Sequence, residues 1–83
     1  MSSKILITGG AGNVGGSLAR RLAQDKKYEI SIVDNLSTGH YSKLPDRMLP
    51  NWRFINADVN SYQDISSILV GGGFDYIFHY AAV

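Results

Sequence analysis

The stretch Thr8-Gly9-Gly10-Ala11-Gly12-Asn13-Val14-Gly15-Gly16 constrains this chain more than any other. An apolar run, Lys4-Ile5-Leu6-Ile7, precedes it, and a helical pattern built on Leu18, Ala19, Leu22 and Ala23 follows. The order is strand, glycine turn, helix. Gly10, Gly12 and Gly15 satisfy a G-x-G-x-x-G spacing, and Gly9, Gly12 and Gly15 satisfy a T-G-x-x-G-x-x-G reading of the same letters. In such a turn the first glycine permits a sharp departure from the strand. The second lacks a Cβ, so a diphosphate can approach the backbone, and the third lets the helix pack closely on the strand. The N–H groups at the helix start, with the positive end of its dipole, then face the anion.

Glycine spacing alone also fits a flexible surface loop. Two observations decide against that reading. The strand-to-helix context is correct, and an acid stands at the right distance. The second apolar run, Ile30-Ser31-Ile32-Val33, ends in Asp34, nineteen residues past Gly15. A dinucleotide-binding βαβ unit places a carboxylate about 20 residues on, at the end of its second strand, to accept the adenosine ribose hydroxyls. The register of strand, loop, helix, strand and acid predicts a dinucleotide site.

Composition narrows the remaining classes. Eighty-three residues allow one small domain, against roughly 150 for a usual domain of this type. A formal charge of +1 gives no electrostatic footprint for nucleic acid. The absence of cysteine removes disulfides, thiol catalysis and zinc-thiolate sites, and fits a cytoplasmic protein. No apolar run reaches the 18 or so residues of a membrane span, and the N-terminus shows no signal-peptide pattern.

Along the chain, Lys4 to Thr8 reads as a strand buried on both faces of a parallel sheet. A helix from Asn13 or Val14 to about Gln24 follows, with Val14, Leu18 and Leu22 expected against the sheet and Arg20, Arg21 and Gln24 outward. Tyr28 to Val33 is the second strand. Asn35-Leu36-Ser37-Thr38-Gly39 reads as a loop over the adenosine end of a ligand, and Leu44 to Leu49 as a short helix with Pro45 in its first turn. Trp52 to Asn56 is a third strand. Ser61 and Asp64 form an N-cap pattern for a helix buried through Ile65, Ile68 and Leu69 and ended by Gly71-Gly72-Gly73. Phe74 to His79 is a fourth strand.

Alternating strands and helices predict an α/β fold, a partial Rossmann fold whose parallel sheet has about four strands in the order 3-2-1-4. Ligands bind such sheets at the carboxyl ends of the strands, where the strand order switches. The Gly9–Gly15 turn, Asp34, Asp58 and Tyr80–Ala82 all fall at such ends. His79 reads as a partly buried strand-end residue, Trp52 and Phe54 as core or edge packing, and Asp75 as a solvated turn acid. Neither His79 nor His40 has the neighbours a zinc site needs. Asp58 reads equally as a cap before the Ser61 helix or as a ligand-binding acid.

These residues resemble a family. Thr8 to Gly15, Val33-Asp34-Asn35-Leu36-Ser37-Thr38-Gly39, Asp58-Val59 and His79-Tyr80-Ala81-Ala82 are similar to the N-terminal part of an extended short-chain dehydrogenase. The resemblance is to its NAD-dependent sugar-nucleotide epimerase/dehydratase branch, most of all to UDP-glucose (UDP-galactose) 4-epimerases, and it covers about the first quarter of such an enzyme. It implies NAD as cofactor, with Gly9, Gly10, Gly12 and Gly15 forming the turn and Asn13 and Val14 offering backbone N–H groups to the diphosphate. Asn13 departs from the family's usual aromatic residue at that position. The resemblance implies that Asp34 holds the adenosine ribose and that Asn35, Ser37, Thr38 and Gly39 line the adenosine side. Asp58 would bond the adenine amino group, Val59 would pack on the ring, and Tyr80, Ala81 and Ala82 would lead toward the nicotinamide ribose.

The family's catalytic Tyr-x-x-x-Lys pair has no counterpart here. Four residues after Tyr28, Tyr41, Tyr62 and Tyr76 stand Ile32, Pro45, Ser66 and Tyr80. No catalytic residue is therefore assigned, and residues 1–83 read as the N-terminal part of a cofactor domain without a substrate domain. A nucleotide-sugar substrate would be met only in a complete parent enzyme. The alternatives are a stand-alone nucleotide-binding or redox-sensing module and an inactive fragment. With Phe74, Tyr76, Ile77 and Phe78 bordering an open edge, the sequence also predicts a homo-oligomer.

Overall fold

β1 (Ser3–Thr8) runs through the middle of a four-stranded parallel sheet, flanked by β2 (Tyr28–Asp34) and β4 (Tyr76–His79), with β3 (Trp52–Asn56) outside β2. The strand order is 3-2-1-4, the order expected of a Rossmann-type sheet. In this computed structural model the described residues are 3–35, 41–58 and 61–80. The register sets Ser3 beside Tyr28 and Thr8 beside Val33. Ile5 lies beside Tyr76 and Thr8 beside His79, while Asp34 lies beside Asn56.

Side chains alternate across the sheet, so each strand supplies two faces. Ile5, Ile7, Ile30 and Ile32 pack with Ala19 and Ala23 of α1 (Asn13–Ala23). Leu6 and Val33, at the alternate positions, are also buried. Burying each such aliphatic side chain contributes about 1.5–3 kcal/mol, which makes β1 and β2 the stable centre.

The expected stripe of α1 holds at Leu18 and Leu22, which pack half-buried against the core beside the buried Ala19 and Ala23. Val14 departs from it and is 63% exposed. Gly15 and Gly16 are buried as well, against the glycine turn and the Lys43 carbonyl. The C-terminal turn of α1 is held by Asn51, whose Nδ2 lies 3.2, 3.1 and 3.0 Å from the carbonyl oxygens of Ala23, Asp25 and Tyr28.

The expected helix over Leu44–Leu49 does not form. A 3-10 turn occupies Tyr41–Lys43, and the chain then turns around Asp46. The Asp46 carboxylate accepts the Met48 amide at 2.9 Å, and its carbonyl accepts the Leu49 amide at 3.0 Å and Trp52 Nε1 at 2.9 Å. A side-chain acceptor two residues back competes with helical bonding, and here it wins.

α2 (Tyr62–Gly72) starts at Ser61, whose hydroxyl accepts the Asp64 amide at 3.4 Å, and ends at Gly73 with φ 59°. Ile65 and Ile68 are half-buried, but Leu69 is exposed, so the expected buried face is narrower than its pattern. β4 begins two residues later than expected, and Asp75, just before it, bridges to β1. Its amide donates to the Lys4 carbonyl at 2.8 Å, and its carboxylate accepts the Lys4 amide at 2.8 Å. Asp75 is thus a strand-pairing residue as well as an exposed acid.

Candidate functional site

The turn after β1 is shaped by three close approaches. Gly9 adopts φ 73°, the left-handed region that a Cβ disfavours. Its amide donates to the Val33 carbonyl at 2.7 Å, and its carbonyl accepts the Gly12 amide at 3.1 Å. A Cβ on Gly10 would collide with the Ile32 side chain, and one on Gly15 with the Gly9 carbonyl. A Cβ on Gly12 would meet only the Gly9 oxygen, at 3.3 Å. Gly12 therefore leaves room on the side where a ligand would approach.

Gly12 is also the N-cap of α1, and no side chain caps that end. The first helical bond runs from the Gly16 amide to the Gly12 carbonyl at 2.9 Å. The amides of Asn13, Val14 and Gly15 precede it, so they are the helix's orphan donors. No acid occupies the first turn. Uncapped donors, the positive dipole end and a missing Cβ together suit a diphosphate.

Asp34 closes the other side. It is the last residue of β2, only 8% exposed, and its Oδ2 accepts the Ala11 amide at 3.0 Å. The carboxylate is thereby fixed against the glycine turn, with Asn35 next in the chain and exposed. The Asp34 carbonyl accepts the Ala57 amide at 3.3 Å, which brings the end of β3 alongside. Asp58 follows, exposed, and its carbonyl accepts the Ser61 amide at 2.9 Å. On the far side Tyr80 donates its amide to the Thr8 carbonyl at 2.9 Å.

Gly9, Gly10, Gly12, Asn13, Val14, Gly15, Asp34, Asn35, Asp58 and Tyr80 thus all stand at the C-terminal edge of one sheet. Ser37, Thr38, Gly39, Val59, Ala81 and Ala82 lie outside the described residues. A cleft of about 290 Å³, lined by Lys4, Glu29, Asn51, Arg53 and Phe74 among others, opens at the opposite ends of the strands. It does not touch the glycine turn.

Two features escaped the sequence reading. Thr8 Oγ1 lies 2.6 Å from His79 Nδ1, joining the ends of β1 and β4 where the strand order switches. His79 is exposed rather than partly buried, while the Thr8 it meets is buried. Lys43 reaches α1: its Nζ is bonded to Asn13 Oδ1, and its carbonyl accepts Arg20 Nη1 at 2.5 Å. The close approach also excludes a side chain at Gly16, where a Cβ would stand 3.0 Å from the Lys43 oxygen.

Known proteins share this sequence pattern and fold. The family described as NAD dependent epimerase/dehydratase matches residues 5–83. A probable UDP-arabinose 4-epimerase 3 of Oryza sativa subsp. japonica is 37% identical over 95% of this chain and 20% of its own length. The UDP-glucose 4-epimerase of Corynebacterium glutamicum is 38% identical over 95% of this chain and 22% of its own. Among solved structures, the Bordetella bronchiseptica enzyme WbmH in complex with NAD+ superposes with a TM-score of 0.89 at 25% identity, covering 100% of this chain and 27% of that one. The chain spans about a fifth of the length of the curated relatives it matches. With the fold, the glycine turn and the whole of residues 5–83 in agreement, this chain belongs to the NAD dependent epimerase/dehydratase family.

Proposed function

We propose that residues 1–83 form the cofactor-binding part of a sugar-nucleotide epimerase or dehydratase of the UDP-glucose 4-epimerase type, and bind the adenosine-diphosphate half of NAD. The observation that carries this reading is the buried bond from the Ala11 amide to Asp34, which joins the glycine turn to the acid of β2. The amides of Asn13 and Val14 then serve the diphosphate, and Asp34 serves the adenosine ribose. Asn35, Ser37, Thr38 and Gly39 line the adenosine side, Asp58 and Val59 hold adenine, and Tyr80, Ala81 and Ala82 lead toward the nicotinamide ribose.

Bound NAD supplies a centre that takes up and returns a hydride. The chain's own residues position it. No tyrosine among the 83 residues is followed by lysine four positions on, so binding and orientation are what this stretch contributes. NAD is favoured over NADP because the Asp34 carboxylate would face a 2′-phosphate, and no arginine directly follows it. The test is calorimetric titration of the purified chain with NAD and with NADP. NAD is expected to bind at least tenfold tighter. Equal or tighter NADP binding overturns the preference, and no binding of either overturns the site.

A further inference from the structure

We propose that Lys43 is a cofactor-binding residue of this chain, an ammonium group that engages the diphosphate at the N-terminus of α1. The proposal rests on the cofactor reading above and extends it to a residue outside the glycine motif and outside the acid of β2. Three observations place Lys43 there. Its Nζ is bonded to the side-chain oxygen of Asn13, the first residue of α1. Its carbonyl is held by Arg20, nearly two turns along the same helix, at 2.5 Å. Its backbone approaches α1 at Gly16 so closely that a Cβ there would stand 3.0 Å from the Lys43 oxygen. The 3-10 turn Tyr41–Lys43 is thus docked on the helix by backbone contacts, and the lysine side chain extends from it to the helix start.

That placement is electrostatically unfavourable in isolation. A helix N-terminus carries the equivalent of about half a positive charge, and cations belong at the other end. Here an ammonium is added to it, the first turn contains no acid, and the lysine's bonded partner is a neutral amide oxygen. An anion at this point satisfies both the orphan amides and the lysine. A diphosphate has the charge and the spread of acceptor oxygens to do so, and a lysine serves such a group as a mobile point charge. Asn13 is then the resting partner from which Lys43 moves to the cofactor. This accounts for an asparagine at a position whose amide is the one that faces the ligand.

The experiment compares the wild-type chain with K43Q and K43R, titrating NAD in low and in high sodium chloride. Lys43→Gln keeps the length and polarity of the side chain and removes its charge. It is expected to weaken NAD binding roughly three- to thirtyfold. Lys43→Arg is expected to recover most of that loss. Wild-type affinity should fall more steeply with salt than that of Lys43→Gln, because one cation fewer is then screened. A lysine that merely docks the 3-10 turn would lower affinity equally at both salt concentrations, and that result overturns the proposal. Affinity of Lys43→Gln within twofold of wild type overturns it too, as does a loss in Lys43→Arg equal to that in Lys43→Gln. Binding of NAD by the wild type in any of these cases leaves the cofactor reading standing, whereas no binding by the wild type overturns both.

Discussion

Asp34 and Ala11, 23 positions apart, meet through a buried 3.0 Å hydrogen bond from the Ala11 amide to the Asp34 carboxylate. Removing the carboxylate leaves that amide without its acceptor, which costs about 1–3 kcal/mol. Asp34→Ala is therefore expected to lower stability by that amount in urea unfolding and to weaken NAD binding about tenfold or more. Asp34→Asn keeps an acceptor of the same shape and is expected to lose less than half as much stability. Equal unfolding midpoints for wild type and Asp34→Ala would show that the bond does not hold the turn.

The glycines of the turn separate by consequence. Gly15→Ala drives a methyl group into the Gly9 carbonyl, and Gly10→Ala drives one into Ile32. Overpacking of this kind costs about 1–3 kcal/mol. Gly12→Ala meets a single oxygen at 3.3 Å and is expected to unfold within about 1 kcal/mol of wild type while losing NAD affinity. Thermal unfolding with and without NAD checks both halves, and a large loss of stability in Gly12→Ala would contradict this division.

Asn51 ties three carbonyls together, those of Ala23, Asp25 and Tyr28. Asn51→Ala is expected to destabilise the chain by about 2–3 kcal/mol, since several acceptors lose one shared donor. Asn51→Asp should be worse, because a carboxylate would replace the amide facing those oxygens. Chemical unfolding of the two variants decides it; an aspartate milder than the alanine would disprove the role of the Nδ2 donor.

β4 is an edge strand of the described sheet, and it presents Tyr76 and Ile77 at 56% and 55% exposure, one on each face. Apolar groups beside unpaired strand edges promote association. The isolated chain is expected to scatter light as a dimer or larger species, and Ile77→Lys to shift it toward a monomer. A monomer of 9.1 kDa at high micromolar concentration would remove this expectation.

The sheet order and the meeting of turn and acid are legible because strand period, glycine spacing and the Asp34 position are local patterns that together match the Rossmann arrangement. In α1 the helical period finds Leu18 and Leu22, which pack against the core, but misplaces Val14, which is exposed. The burial of Gly15 and Gly16 comes from the glycine turn and the Lys43 carbonyl, neighbours that the helical period does not report. Residues 44–49 do not form the expected helix because the Asp46 carboxylate accepts the Met48 amide two residues on. Lys43 and His79 reach the site through contacts with Asn13 and Thr8, distant in sequence, which no periodicity announces.

The crowding around Gly10 and Gly15 bears on how this motif ages in evolution. Ile32 and the Gly9 carbonyl exclude a side chain at those two places whether or not a nucleotide is ever bound. A lineage that bound no nucleotide would still be held to both glycines by its own architecture, so their presence in a sequence reports the fold before it reports a ligand.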